Sequence, residues 1–229
     1  MEWLPDFAAA ALAAIIAITL HEAAHGYAAR ALGDDTAERM GRLSLNPIRH
    51  VDPVGTLLVP GILVVSQLLA IGRVEALFGW AKPVPVNVMG LRNPRFGMVL
   101  VAAAGPAVNV LLAFAAAVLL LPLVGPGGDS VLDWIESFLV LSLIQNLVFA
   151  AFNLIPIPPL DGGRIVGGLL PPSIGIPFLR LERVGLLVVL GLLFLLPHAT
   201  GGFDPMRWLV RAIVYPVARL ILTLTGHST

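Results

Sequence analysis

The run Phe7–Leu32, FAAAALAAIIAITLHEAAHGYAARAL, decides how the rest of the chain is read. Phe7 to Leu20 is apolar apart from Thr19, and then His21, Glu22 and His25 interrupt it with three ionisable groups in the pattern H-E-x-x-H. On a helix, residues four apart lie about 40° apart around the axis, so both imidazoles face the same way. That spacing lets two histidines hold one zinc ion. Glu22 lies about 100° from His21 and about 60° from His25, within reach of a water activated at that ion. Chance alone gives roughly 0.002 occurrences of the pattern in a chain of this composition. Ionisable groups inside a membrane segment are costly, so the triplet reads as a functional site.

Composition agrees with a membrane setting. The chain has 229 residues, 58% hydrophobic and 12% charged, with a mean hydropathy of +0.92. Soluble domains carry about 25% charge. The reading is an all-α polytopic membrane protein, one domain over 1–229. It has about four spanning helices, a re-entrant or hairpin segment at 54–90 and a C-terminal interfacial helix. The formal net charge is zero, so no global field points to nucleic acid or to acidic partners. Cysteine is absent, which excludes disulfides, thiolate zinc sites and a cysteine nucleophile. Any zinc ligand is therefore His, Asp or Glu. The amino terminus lacks the basic region of a secretory signal, and the first segment is expected to be retained.

The first segment, roughly Leu4 to Leu32, is long enough to cross a hydrocarbon core of about 30 Å. Arg30 near its carboxyl end and Arg39, Arg42 and Arg49 beyond it place that side in the cytoplasm. Residues 54–72 are apolar but broken by Pro60-Gly61. Pro83 and Pro85 with intervening valines suggest an extended edge strand or hairpin. Residues 96–123 are rich in small residues, as where membrane helices pack closely, with Asn109 near the middle. Residues 125–136 hold three acids and no base and read as the outside. A further segment, about Val131 to Leu154, leads into FNLIPIPPLDGGR. There the prolines break the helix and free carbonyls, which a membrane tolerates only inside protein or beside a cavity. Another apolar segment spans about Val184 to Leu196. Arg207, Arg211, Tyr215 and Arg219 then share one face of a final amphipathic stretch, Met206–Thr225, expected at the interface.

A catalytic zinc takes three protein ligands and keeps one position open. His21 and His25 are two. Asp52, Asp161, Glu182, His50 and His198 are candidates for the third. Asp161, at a broken helix end within an apolar stretch, is the choice. It can meet the histidines only if residues 54–79 do not cross the membrane once, which is why that stretch is expected to re-enter and to leave Lys82 on the cytoplasmic side.

The chain resembles the site-2 proteases, a family of intramembrane zinc metalloproteases. HEAAHGYAAR resembles their zinc helix, FNLIPIPPLDGGR their second signature, and AGPAVN the small-residue motif between. GRLSLNPIRHVDPVGT and FGWAKPVPVN resemble a compact subgroup without PDZ or CBS domains. These matches cover about residues 15–170. The resemblance implies one zinc ion per chain held by His21, His25 and Asp161, with Glu22 as general base. It implies a transmembrane protein or peptide as substrate, within the lipid bilayer. Asn109 and Asn153 match asparagines of the family that handle substrate or the oxyanion. The location implied is a prokaryotic cell membrane, multi-pass, with the site toward the cytoplasm. The competing reading is a zinc-binding transporter or receptor without proteolysis. The absence of an internal two-fold repeat and the place of Glu22 weigh against it.

Overall fold

A computed structural model of the chain describes residues 3–72, 79–123 and 130–227. Among these, every regular element is helical. In chain order they are α1 (Trp3–Ala31), α2 (Thr36–Arg39), α3 (Val59–Ile71), α4 (Pro94–Leu120), α5 (Ser130–Asn153), α6 (Asp161–Leu169), α7 (Pro172–Arg180), α8 (Glu182–Leu190), α9 (Leu196–Ala199), α10 (Pro205–Leu209) and α11 (Tyr215–Leu224). A π-helical stretch, Pro53–Leu58, runs directly into α3, and short π-turns join α8 to α9 and α10 to α11.

Among the described residues, four segments are long and apolar enough to cross a bilayer: Leu4–Ala31, Pro53–Ala70, Pro94–Leu123 and Val131–Asn153. The stretch 184–196 is not among them. Its thirteen residues reach about 20 Å at 1.5 Å each, short of a hydrocarbon core.

Packing centres on α1, α4 and α5, each of which touches the other two. Every fourth residue of α1 from Ala9 to Ala29 (Ala9, Ala13, Ala17, His21, His25, Ala29) is buried. The same spacing recurs on α4 in Gly97, Val101, Gly105, Asn109, Ala113 and Ala117. Small residues four apart form a shallow ridge, and two such ridges bring helix backbones close. On α5 the buried set is Leu139, Ser142, Leu143, Asn146, Leu147 and Ala150. The first two stripes carry polar groups into the centre of an apolar bundle without widening it.

α6 is held against α4 by Arg95. Its guanidinium donates to the carbonyls of Gly168, Leu169 and Leu170 at 2.6, 2.9 and 2.7 Å. These are orphan carbonyls at the helix end, where a cation is favoured. The loop 154–160 folds back over the first turn of α6 so closely that a Cβ on Gly162 would sit 2.2 Å from the Leu154 carbonyl oxygen. Glycine here is a steric requirement of the turn that presents Asp161.

The edge strand or hairpin expected around Pro83 and Pro85 is not formed: residues 79–87 carry no helix and no ladder. Four of their backbone N–H groups are already used. Trp80 donates to Gly55 O at 3.1 Å and Lys82 to His50 O at 2.9 Å. Val84 donates to the Glu22 carboxylate and Asn87 to that of Asp34. Pro83 and Pro85 have no N–H to offer a neighbouring strand. The carboxyl-terminal helix is present from Pro205 to Leu224. Its inner face, Val214, Ala218 and Ile221, joins a cluster with Ala113, Leu120 and Leu143 of α4 and α5.

Candidate active site

His21 and His25 face α4 from the second half of α1, and Asp161 opens α6 opposite them. All three are more than nine-tenths buried. His21 Nε2 and His25 Nε2 lie 3.1 Å apart. Each lies close to Asp161 Oδ2, at 3.2 and 3.3 Å. The three atoms form a nearly equilateral triangle.

Hydrogen bonding at Nδ1 of each ring fixes its tautomer. His25 Nδ1 is 2.7 Å from the Val101 carbonyl oxygen. A carbonyl only accepts, so Nδ1 carries a hydrogen, and the neutral ring, the form that binds a metal, has its lone pair on Nε2. His21 Nδ1 is 2.6 Å from Asn109 Oδ1. The amide nitrogen of Asn109 is spent on Ala17 O and Asn146 Oδ1 at 3.3 and 2.8 Å. His21 therefore also presents a bare Nε2. Asp161 Oδ2 is buried without a hydrogen-bond partner. With both rings neutral, three acceptors face one another in a buried site, an arrangement that repels itself unless a cation or a proton sits among them.

The distances suit such a cation. Ligand atoms about 2.0–2.1 Å from a tetrahedral zinc stand about 3.3 Å from each other. His21, His25 and Asp161 are the one group of three or more His, Cys, Asp or Glu among the described residues whose donor atoms converge in this way. Gly105 of α4 supplies the wall beside them. A Cβ there would lie 2.6 Å from His25 Nε2 and from Cε1 of both rings. The wall is bare backbone, and a side chain there would fill the space that the three donor atoms face.

Glu22, on the same turn of α1, is half-buried. One carboxylate oxygen accepts from Val84 N–H at 3.0 Å. This contact orients the side chain from the segment 79–87. Asn153 ends α5 and donates back along it to Phe149 O.

The other candidates for the third ligand are engaged elsewhere. Asp52 accepts from Val54 and Gly55 N–H and so starts the π-turn before α3. Glu182 pairs with Arg164 at 2.6 Å. His50 Nε2 donates to Ser44 O. The side chain of His198 lies outside those described. Four contributors went unnoticed in the sequence: Gly105, the Val101 carbonyl, Val84 N–H and Asn146. Gly105 and Asn109 lie four apart, and that shared face was the available signal.

Comparison with known proteins agrees with this geometry. The family model described as Peptidase family M50 matches residues 127–196, the part that contains Asp161. A Bacillus subtilis protein named "Putative zinc metalloprotease YwhC" is 38% identical over 213 residues, 89% of this chain and 91% of its own. A Mycolicibacterium smegmatis protein named "Putative zinc metalloprotease Rip2" is 29% identical over 194 residues, 85% of this chain and 70% of its own. No solved structure matches the chain. Similarity at that level over nine-tenths of two chains, together with the family match around the Asp161 segment, shows that the chain belongs to peptidase family M50, the site-2 protease family, whose cofactor is zinc.

Proposed function

We propose that the protein is an intramembrane zinc endopeptidase that hydrolyses peptide bonds of transmembrane substrates. The observation that carries this reading is the convergence of three bare acceptor atoms, His21 Nε2, His25 Nε2 and Asp161 Oδ2, 3.1–3.3 Å apart in a buried site. These residues would hold the ion. When bound, zinc supplies Lewis acidity toward a carbonyl and a water.

The chain's own groups do the proton work. Glu22 takes the proton of the attacking water as its oxygen bonds to the scissile carbonyl carbon. It returns that proton to the amide nitrogen as the C–N bond breaks, so water is consumed and a carboxylic acid and an amine leave. Val84 N–H holds one oxygen of that carboxylate in place. Asn109 is fully buried behind His21 and positions that ring rather than touching the substrate. Asn153, at the mouth of the broken segment before Asp161, remains the residue proposed to meet the substrate.

The topology follows the same reading. Trp80 and Lys82 bond to Gly55 and His50, so the chain returns after α3 to the level at which it left. We take 54–79 as a re-entrant excursion, with Lys82 and the site on the cytoplasmic side of a cell membrane. Because the chain lacks cysteine, a single Lys82→Cys replacement labels that position alone. Reaction with an impermeant thiol reagent from outside intact cells would overturn the topology.

The activity test measures zinc and cleavage on one purified sample. Wild type, Glu22→Gln and Asp161→Ala are compared for bound zinc by elemental analysis and for cleavage of a transmembrane peptide in detergent. The expected result is about one zinc per chain in wild type and Glu22→Gln, less in Asp161→Ala, with cleavage in wild type only. Zinc that Glu22→Gln keeps, with no peptide cleaved by wild type, shifts the reading to a zinc-binding membrane protein without proteolysis. Wild type without zinc removes the basis of the proposal.

A further inference from the structure

A hydrogen-bond chain that starts on α5 runs across α4 to the metal-facing histidine of α1. Asn146 is fully buried, as is Asn109, and Ser142 nearly so. Asn146 Nδ2 donates to the Ser142 carbonyl at 2.8 Å and lies 3.3 Å from Ser142 Oγ. A main-chain carbonyl cannot donate, so this end of the Asn146 amide is its NH2 group. Its Oδ1 must then point the other way, to Asn109 Nδ2 at 2.8 Å. Asn109 Nδ2 also reaches a second carbonyl, Ala17 O, at 3.3 Å. Asn109 Oδ1 is thereby turned to His21 Nδ1 at 2.6 Å.

Each link has one possible sense, and two main-chain carbonyls that cannot rotate fix it at Ser142 and Ala17. If Asn109 turned over, its NH2 would face His21 Nδ1. The ring would then carry its hydrogen on Nε2, directed at His25 and Asp161, where a lone pair is needed. Reversal would also set Asn109 Oδ1 against the oxygens of Ala17 and Asn146. His25 needs no such arrangement, because the Val101 carbonyl holds its Nδ1 directly. The site therefore has one ring set by backbone and one set by a side-chain relay.

We propose that Asn146, acting through Asn109 and braced on Ser142, is a positioning residue that sets the tautomer of His21. This rests on His21 serving as a metal ligand, and it adds an α5 residue outside the zinc-binding group and the H-E-x-x-H helix. Outer partners of ligating histidines typically matter by about 10–100-fold in metal affinity.

The test uses the full chain in detergent with zinc ion as the probe. Zinc affinity is measured by competition with a chelator, and ring nitrogen resonances of the histidines are recorded without metal. Asn146→Leu is expected to weaken zinc binding about 10–100-fold, with helicity unchanged. It should move His21 from a single Nδ1–H form to a mixture while His25 stays fixed. Asn109→Leu is expected to give the same loss, and the double variant no further loss, because Asn146 reaches His21 only through Asn109. Should Asn146→Leu fail to fold, Asn146→Ala is read in the same way. Unchanged affinity and tautomer in the Asn146 variant would overturn the proposal. So would independent losses that multiply in the double variant, since Asn146 would then act on helix packing and not through Asn109. If wild type binds no zinc but its His21 tautomer still answers to Asn146, the relay stands and the protease reading falls.

Discussion

Gly105→Ala tests the site most directly, because it adds one methyl group and removes nothing. The new Cβ would lie 2.6 Å from His25 Nε2 and from Cε1 of both His21 and His25, against 3.4 Å for ordinary contact. Rings or helix must therefore give by about 0.8 Å. The rings cannot simply retreat, since Val101 O and Asn109 hold them from behind at 2.7 and 2.6 Å. Separation of α1 from α4 would break the small-residue contact along both stripes. Overpacking of this kind costs about 1–3 kcal/mol. Charged to metal binding alone, that is a loss of roughly 5–150-fold in zinc affinity. The assay is chelator competition with purified wild type and variant in detergent, with circular dichroism to confirm that helix content is kept. Wild-type zinc affinity in Gly105→Ala would refute the placement of the three donor atoms against the α4 backbone.

Other expectations follow from contacts further out. Val84→Pro removes the N–H that holds Glu22, and should lower kcat about 10-fold or more with zinc retained; a steady-state assay with parallel metal analysis checks it. Arg95→Leu releases three carbonyls at the end of α6 and should cost about 1–2 kcal/mol after allowance for exposure, read as a lower Tm and weaker zinc retention. Burial raises the carboxyl pKa of Asp34, but bonds from Thr36 Oγ1, Thr36 N–H and Asn87 N–H, with the charge of Arg39, outweigh it and hold it below the ordinary value. A depressed folded-state pKa contributes stability above the unfolded value, about 3.9, and loses it as pH falls through the folded one. Asp34→Asn should therefore be less stable than wild type at pH 7, and the gap should close with acidification below about pH 4; thermal melts across that range would show a constant gap if the bonds were idle.

The histidine pair was legible because its geometry is local: a spacing of four on a helix is enough to place two rings on one side. Asp161 was harder, since no spacing rule spans the distance from His25. Its choice leaned on the broken helix before it and on the family resemblance, and the structure now sets its Oδ2 3.2–3.3 Å from both rings. Asn109 was legible as a polar residue in a small-residue helix, though its part in holding His21 was not. A side chain's partner depends on which helix lies opposite, and Asn146 gives no local sign of facing it. The segment around Pro83 showed its extended, helix-breaking character in sequence. That the N–H groups of Trp80, Lys82, Val84 and Asn87 are tied to Gly55, His50, Glu22 and Asp34 depends on residues more than thirty positions away in three of the four cases, and alternation of proline and valine cannot report that.

The four-residue repeat on α1 has a mechanical consequence. A ridge of alanines spaced evenly along a rod is a smooth rail. Slid by one repeat, about 6 Å, it would meet its neighbours with nearly the same shape while replacing His21 by Ala17 opposite Asn109. The alanines alone do not stop such slippage, although His25 would be driven into the space of buried Ala29. The stops are polar, and they act at separate heights: Trp134 Nε1–H on Pro5 O near the amino end, Asn109 on Ala17 O and on His21 midway, and Val84 N–H on Glu22 below. Together they work like pins through a rail, and three of the four bear on residues within five positions of the metal-facing rings. The groups that equip α1 for chemistry are therefore also the ones that stop it from sliding.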